Sequence, residues 1–549
     1  MNIIYLSAKA VFTLIICIFA VVNLTRQFQM LQQNSYFLSR YGAWLKGNCQ
    51  KIWANFVFIL LGILGGAYIT DRRALFSFVF SFITRSEKTA YILTAVFCAL
   101  LIFVALGSFV MASRAVSKNK KSIKPLVLTA RIKRMYATAS VISLAVGAAF
   151  VLTEGVLSFA LWCALILLSF APALFASLIL IICKPMELLI TNKYLREAKK
   201  ILKNHKSLTT IGITGSYGKT GTKFIIKRLL EEGFNVTATP GSFNTPMGVV
   251  RTVRENLRPE SDIFLCEMGA KKKGDIKEIC DIAHPQIGII TSVGPQHLDT
   301  FGSVDTVADT KFELADAASE VFLNYDNEII RERGKNYNTT SYGTTPDCDV
   351  YADNISYGSF GAKFDVVCDG DRIPVVTKLL GKHSVLNITA GVAVAKRLGL
   401  SDNAISYAVS RLAPTAHRLE LKSFINGSLL IDDAYNANPE GSIEAINVLS
   451  SFEGRKKIIV TPGLVELGDS EYKYNYNLGL AAAEKCDIII LVGQKRSVPL
   501  CDAISKTDFK KENLFVVSSF AEAMQKLGTL VTKDTVTLFE NDLPDNYLN

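Results

Sequence analysis

The residues best suited to chemistry follow one another in the middle of the chain. The first set is the turn Thr214-Gly215-Ser216-Tyr217-Gly218-Lys219-Thr220. Glycines let backbone N–H groups face an oxyanion, Lys219 adds a positive charge, and the Thr220 hydroxyl is a ligand that Mg2+ accepts. The turn is not a strict Walker A motif, because Gly212 stands one residue too far from Gly218, and the usable core is TGxxGKT. A glycine turn that merely allowed close packing does not account for the Lys-Thr pair. The segment reads as a triphosphate cradle for ATP. Next come Glu267 in CEMGA, a carboxylate placed for a metal, and His297 after Thr291-Ser-Val-Gly-Pro-Gln, with Lys311 fourteen residues on in DTKFELADA. A lone histidine more often serves structure, but His297 follows the third strand at the edge of the cradle, which favours function; an isolated helical lysine such as Lys311 ordinarily forms a solvated face.

Those groups need strands to hold them. Short apolar runs at Leu208 to Thr214, Asp262 to Glu267, Gln286 to Thr291 and Glu320 to Asn324 alternate with helix-length segments, and a helix is expected from about Lys219. A second series runs Ser428 to Asp432, Lys456 to Thr461, Asp487 to Val492, Leu514 to Val517 and Thr535 to Glu540. Nearly continuous apolar strands alternating with helices indicate two α/β units with mainly parallel sheets, whose ligands sit at the carboxyl ends of strands.

The amino-terminal part is of another kind. The 549 residues exceed one domain, half are hydrophobic and only 20% are charged, which excludes disorder and points to lipid. Residues 1–200 carry 22 Lys and Arg against 5 Asp and Glu, a net of +17, whereas the remainder is net negative at −6. The basic excess flanks apolar runs, so it reads as membrane topology and lipid-headgroup contact rather than nucleic-acid binding. Runs at Leu6 to Leu24, Trp53 to Ile69, Ala90 to Met111 and Leu157 to Cys183 are long enough to cross a bilayer, and Tyr136 to Leu152, rich in small residues, is a fifth. Leu75 to Ile83 is too short and reads as interfacial. The loop from Ala112 to Met135 holds eight basic residues and no acid, which assigns it, and the soluble part after two more spans, to the cytoplasm. Eleven cysteines without a CxxC indicate neither a zinc site nor a disulfide framework. The stretch from Lys184 to Lys206 alternates apolar and basic residues at helical spacing, as a surface-lying juxtamembrane helix or a plain linker helix does.

TGSYGKTGTK, GSFNTPMGV, CEMGA, SVGPQHLDTFGS, the Lys311 segment, GKHSVLN, HRLE and DDAYNANPEG, in this order, resemble the Mur ligase superfamily of ATP-dependent amide-forming enzymes over roughly residues 207 to 495. They are most similar to the branch that adds D-alanyl-D-alanine to a UDP-linked muramoyl-tripeptide. The resemblance implies that Thr220 and Glu267 hold one Mg2+ and His297 helps hold a second. It implies that Lys311 acts as a carbamate, that Asn387 and Asn436 contact adenine, and that Arg418 and Asp433 face the phosphates and ribose. It also implies a muramoyl-peptide acceptor activated as an acyl-phosphate, a small dipeptide donor and cell-wall synthesis partners; the apolar spans, not the resemblance, point to a multi-pass plasma-membrane location with the catalytic part cytoplasmic.

The expected organisation is a transmembrane bundle of about five helices over 1–183, a basic connector over 184–206, a central ATP-binding α/β domain over 207–414 and a Rossmann-like C-terminal domain over 415–549. Two features depart from the family. No nucleotide-sugar domain precedes residue 206, which raises a lipid-linked acceptor as an alternative. The C-terminal strand reads TVTLFENDLPDNY, whose acids Glu540, Asp542 and Asp545 are expected to alter the charge near the incoming amine. A poly-γ-glutamate-type synthase and an ATP-binding scaffold without turnover are the other readings. The string GLVELGDSEYKYN from Gly463 is expected to position donor or hinge, and Tyr472, Tyr474 and Tyr476 alternate without sharing a helical face.

Overall fold

A computed structural model describes residues 3–47, 56–63, 87–120, 122, 124–435 and 437–541. The chain divides into two compact units, one comprising residues up to Ile190 and the other starting at Thr191.

The first unit is helical, with Ile3–Gln33, Leu38–Gly47, Glu87–Lys120, Ala130–Leu152, Gly155–Phe170 and the opening of Pro172–Asn204. Three described helices, Lys9–Gln33, Ala130–Leu152 and Pro172–Asn204, are long and apolar enough to cross a membrane. Their inner faces carry polar pairs that replace water: Asn23 Nδ2 donates to the Ser169 carbonyl at 3.0 Å and Tyr136 Oη to Thr25 Oγ1 at 3.0 Å. Their outer faces expose Val11, Val141, Leu174 and Leu189, which suits lipid. The expected single span Leu157 to Cys183 is corrected. The helix stops at Phe170 and restarts at Pro172, because proline lacks the N–H that continuation requires and is favoured at a helix start. Leu75 to Ile83 and most of Trp53 to Ile69 lie outside the described residues.

The segment expected as a connector is the last part of the continuous helix Pro172–Asn204. Ala198 is buried, and Tyr194, Leu195 and Leu202 pack into the core of the second unit, where Arg254 stacks on Tyr194 at 3.9 Å and bonds Glu197 at 2.9 Å. Tyr194, Leu195, Ala198 and Leu202 are thus covered by protein, whereas Met186, Leu188 and Leu189 stay exposed.

The second unit holds two sheets. Strands β1 (Thr209–Thr214), β2 (Val236–Ala238), β3 (Ile263–Glu267), β4 (Ile287–Ile290), β5 (Glu320–Asn324), β6 (Thr339–Gly343), β7 (Val350–Gly358), β8 (Gly361–Cys368) and β9 (Asp371–Thr377) form one sheet, ordered β2-β3-β1-β4-β5-β6-β7-β8-β9. It is parallel as far as β7 and antiparallel beyond. The sequence reading lacks β7 to β9. Their inward positions alternate with exposed ones, as in a half-buried antiparallel meander, and produce no continuous apolar run. The other sheet, ordered β10-β11-β15-β12-β13-β14, combines β10 (Glu420–Ser423), β11 (Leu429–Asp433), β12 (Lys456–Thr461), β13 (Ile488–Val492), β14 (Leu514–Val517) and β15 (Thr535–Glu540). All its neighbours are parallel except β10 with β11. The tyrosine expectation is also corrected: within the helix Glu471–Lys485, Tyr472 and Tyr476 stack at 6.3 Å, since positions i and i+4 share a face.

Candidate active site

Strands β3, β1 and β4 are neighbours, so everything that follows their carboxyl ends gathers at one edge. From β1 the chain enters the glycine turn. A Cβ on Gly215 falls 2.1 Å from Thr291 Oγ1 and 2.9 Å from the Ser292 backbone nitrogen, so only glycine fits against the neighbouring loop. Gly218 takes φ +80° directly before the helix Lys219–Leu230, which leaves the first helical N–H groups open at the turn. The turn is tied to the loop after β4: Ser216 N donates to Ser292 O at 2.8 Å, Tyr217 N to Ser292 Oγ at 2.7 Å and Tyr217 Oη to Pro295 O at 3.0 Å. Thr214 Oγ1 donates to Met268 O at 2.9 Å, fixing the turn to the segment after β3.

Lys219 donates to the carbonyls of Gly215 and Ser216, and burial pulls its ammonium down to about 8. Thr220 Oγ1 donates to Glu267 Oε1 at 3.0 Å, so the expected hydroxyl and carboxylate are together and fully inside the fold. Lys311 is 1% exposed in the helix Val304–Ala317, and burial followed by repulsion from Lys219 holds its amine well below the ordinary lysine range. His297 stands in the left-handed region at φ +50°, and its Nδ1 meets Glu466, itself at φ +63°.

A cavity of about 580 Å3 opens beside the turn, lined by Tyr217, Gly218, Asn387, Arg418, Asp433 and Glu540 among others. Asn387 lies in the helix Lys382–Arg397, and its Oδ1 accepts from Thr222 at 2.9 Å. Arg418 reaches the cradle, with Nη2 3.4 Å from Thr220 Oγ1 and its guanidinium 5.0 Å from the Tyr435 ring. Asp433 ends β11 and accepts from the Leu419 N–H at 3.1 Å. Asn436 lies outside the described residues, as do Asp542 and Asp545. The expectation that Glu540 adds negative charge near the amine is corrected. It is fully buried, accepts from Ser442 Oγ at 2.5 Å, and burial with the neighbouring Asp433 pushes its carboxyl well up toward the neutral form.

Sequence reasoning missed Lys223, Asn244 and Glu466. Lys223 sits four residues after Lys219 on the same helix, and that i, i+4 spacing was the available signal for a second inward lysine. Asn244 donates to Glu267 Oε1 at 3.2 Å from the GSFNTPMGV string.

The description "Mur ligase middle domain" matches residues 213–395, and "Mur ligase, glutamate ligase domain" matches residues 417–539. Residues 213–539 make this chain a member of the Mur ligase family. Its relatives include the UDP-N-acetylmuramoyl-tripeptide–D-alanyl-D-alanine ligases of Bacillus subtilis, 29% identical over 60% of this chain and 72% of the relative, and of Mycobacterium tuberculosis H37Rv, 32% identical over 53% and 59%. The chain thus spans between about three-fifths and three-quarters of these relatives. Among solved structures, MurF from Acinetobacter baumannii superposes with a TM-score of 0.59 at 26% identity, covering 65% of this chain and 78% of that one. MurF from Thermotoga maritima in complex with ADP gives 0.58 at 25%, covering 65% and 81%. Mur ligases are ATP-dependent ligases, and this chain carries their middle and glutamate ligase domains.

Proposed function

We propose that this Mur ligase forms an amide bond in peptidoglycan precursor synthesis, with ATP activating an acceptor carboxylate and D-alanyl-D-alanine as the donor named by its relatives. The observation that carries the reading is the meeting of the glycine turn, Lys219, Thr220 and Glu267 at one sheet edge, with Arg418 arriving from the C-terminal domain. Two multiply charged anions must meet there, so cationic groups have to offset their repulsion. Lys219 and Arg418 neutralise the phosphates, Asn387 lines the base end of the cavity, and Asp433 faces the sugar.

A hydroxyl and a carboxylate 3.0 Å apart are hard oxygen donors, which is the set Mg2+ takes, so Thr220 and Glu267 fit the metal. When bound, Mg2+ supplies charge neutralisation at the phosphates. His297 stands on the next loop, and its pairing with Glu466 ties the two soluble domains together on the acceptor side. Burial pushes the Lys311 amine toward its neutral form, and a neutral amine is a nucleophile for CO2, which supports Lys311 as a carbamate. Completing the cavity from two domains excludes water from the hydrolysable acyl-phosphate.

Three helices able to span a membrane favour a second reading in which the acceptor is lipid-linked and the soluble domains face the cytoplasm at the plasma membrane. The test is to incubate the purified full chain with Mg-ATP, D-alanyl-D-alanine and either a UDP-linked or a polyprenyl-linked muramoyl-tripeptide, and to weigh the product by mass spectrometry. Donor-dependent phosphate release with a pentapeptide product supports ligation. Nucleotide binding without donor-dependent turnover overturns it.

A further inference from the structure

Lys223 is fully buried, and a buried ammonium is stable only where its donors are met. Its Nζ donates to Thr239 O at 2.7 Å, to the Gly241 carbonyl and to Glu267 Oε2 at 2.9 Å. Both side chains of that ion pair are at most 1% exposed, so water cannot replace either partner. The two oxygens of Glu267 therefore have different fates. Oε2 belongs to Lys223, whereas Oε1 faces the Thr220 hydroxyl and Asn244 Nδ2 at the cradle. Freeing Oε2 requires pulling an ammonium from three acceptors in the interior and leaving a buried charge uncompensated, which is strongly unfavourable.

Mg2+ binds carboxylates through single oxygens in a tight octahedron and keeps several waters. Ca2+ takes six to eight oxygens and commonly both oxygens of one carboxylate. We propose that Lys223 is a positioning residue that makes Glu267 a one-oxygen ligand, and thereby sets the nucleotide metal site to prefer Mg2+ over Ca2+. The inference rests on the reading that Thr220 and Glu267 hold the nucleotide's metal.

Mn2+ electron paramagnetic resonance on the full chain with ADP separates the two claims without recourse to turnover. Mn2+ binding that is lost in E267Q supports the metal reading, and binding undiminished in E267Q overturns it. In wild type, Mg2+ should displace the bound Mn2+ at a concentration at least about tenfold below Ca2+, and in K223M or K223Q that ratio should shrink by about tenfold as Oε2 becomes free. Thermal melts identify folded variants. Loss of metal preference in either folded variant supports the role, and an unchanged ratio in both overturns it. Should neither variant fold, wild type decides: at least a tenfold preference for Mg2+ supports the inference and equal displacement by the two ions sinks it.

Discussion

Asp433 and Glu540 stand directly opposite each other on the adjacent parallel strands β11 and β15, two acids side by side at the carboxyl edge of the C-terminal sheet. Like charges at this spacing cannot both ionise in a buried site, so the pair retains a proton. Burial raises Asp433 from 3.8 to about 6, and Glu540 lies well above its ordinary value. The folded pair thus holds protons that the unfolded chain has already released. Its stabilising contribution is complete below about pH 4 and is lost as pH rises through about 6. Glu540→Gln supplies a donor that cannot ionise, so the melting temperature of the variant minus that of wild type should rise between pH 5 and 8. A difference that stays flat across that window removes the shared proton.

Lys219 is held against the carbonyls of its own turn, and no other described lysine lies within the glycine sequence. Losing one preorganised electrostatic group at a developing charge costs on the order of 3 kcal/mol, roughly a hundredfold in rate. Lys219→Ala should therefore abolish ATP turnover while the protein remains folded by circular dichroism. Retention of more than a tenth of the wild-type rate would falsify its role at the phosphates.

The strands of this site were legible from the chain because β1, β3, β4 and β5 are buried on both faces and read as apolar runs, and because Lys219 starts its helix where the glycine turn ends. Less legible were the contacts made across distance. Glu466 reaches His297 from another domain, Glu540 is pushed toward its neutral form by burial that the string TLFEND does not reveal, and Lys223 looks like an ordinary helical cation until its carbonyl acceptors are in place. The break at Pro172 was visible as a residue. It was hidden by the hydropathy of its flanks, which continues across Ala171 without interruption.

Gly215 offers a test of the scaffold itself. A methyl group there meets Thr291 Oγ1 at 2.1 Å and the Ser292 backbone at 2.9 Å, and the backbone cannot yield without breaking the bond from Ser216 N to Ser292 O. Overpacking of this kind costs about 1–3 kcal/mol. Gly215→Ala should lower stability by that amount in urea unfolding and weaken ADP binding in titration calorimetry by at least as large a free energy. Wild-type affinity in the variant shows that the turn need not pack against the loop after β4.

Lys311 decides whether the metal site carries one protein carboxylate or two. Its amine is 1% exposed, burial drives it toward the neutral form, and the nearby Lys219 pushes in the same direction. A neutral amine attacks CO2 through its nitrogen and releases an N–H proton to solvent, leaving a carbamate anion that gains from the same lysine that had destabilised the cationic form. Full-length protein equilibrated with 13C-bicarbonate should show a carbamate carbonyl resonance that is absent in Lys311→Arg, since a guanidinium stays charged and does not add CO2. The variant should lose ligase activity by at least about a hundredfold, in line with removal of a group at the reacting phosphates. Equal spectra for wild type and variant, or an active arginine variant, leave Lys311 as a buried cation and return the second carboxylate to another residue.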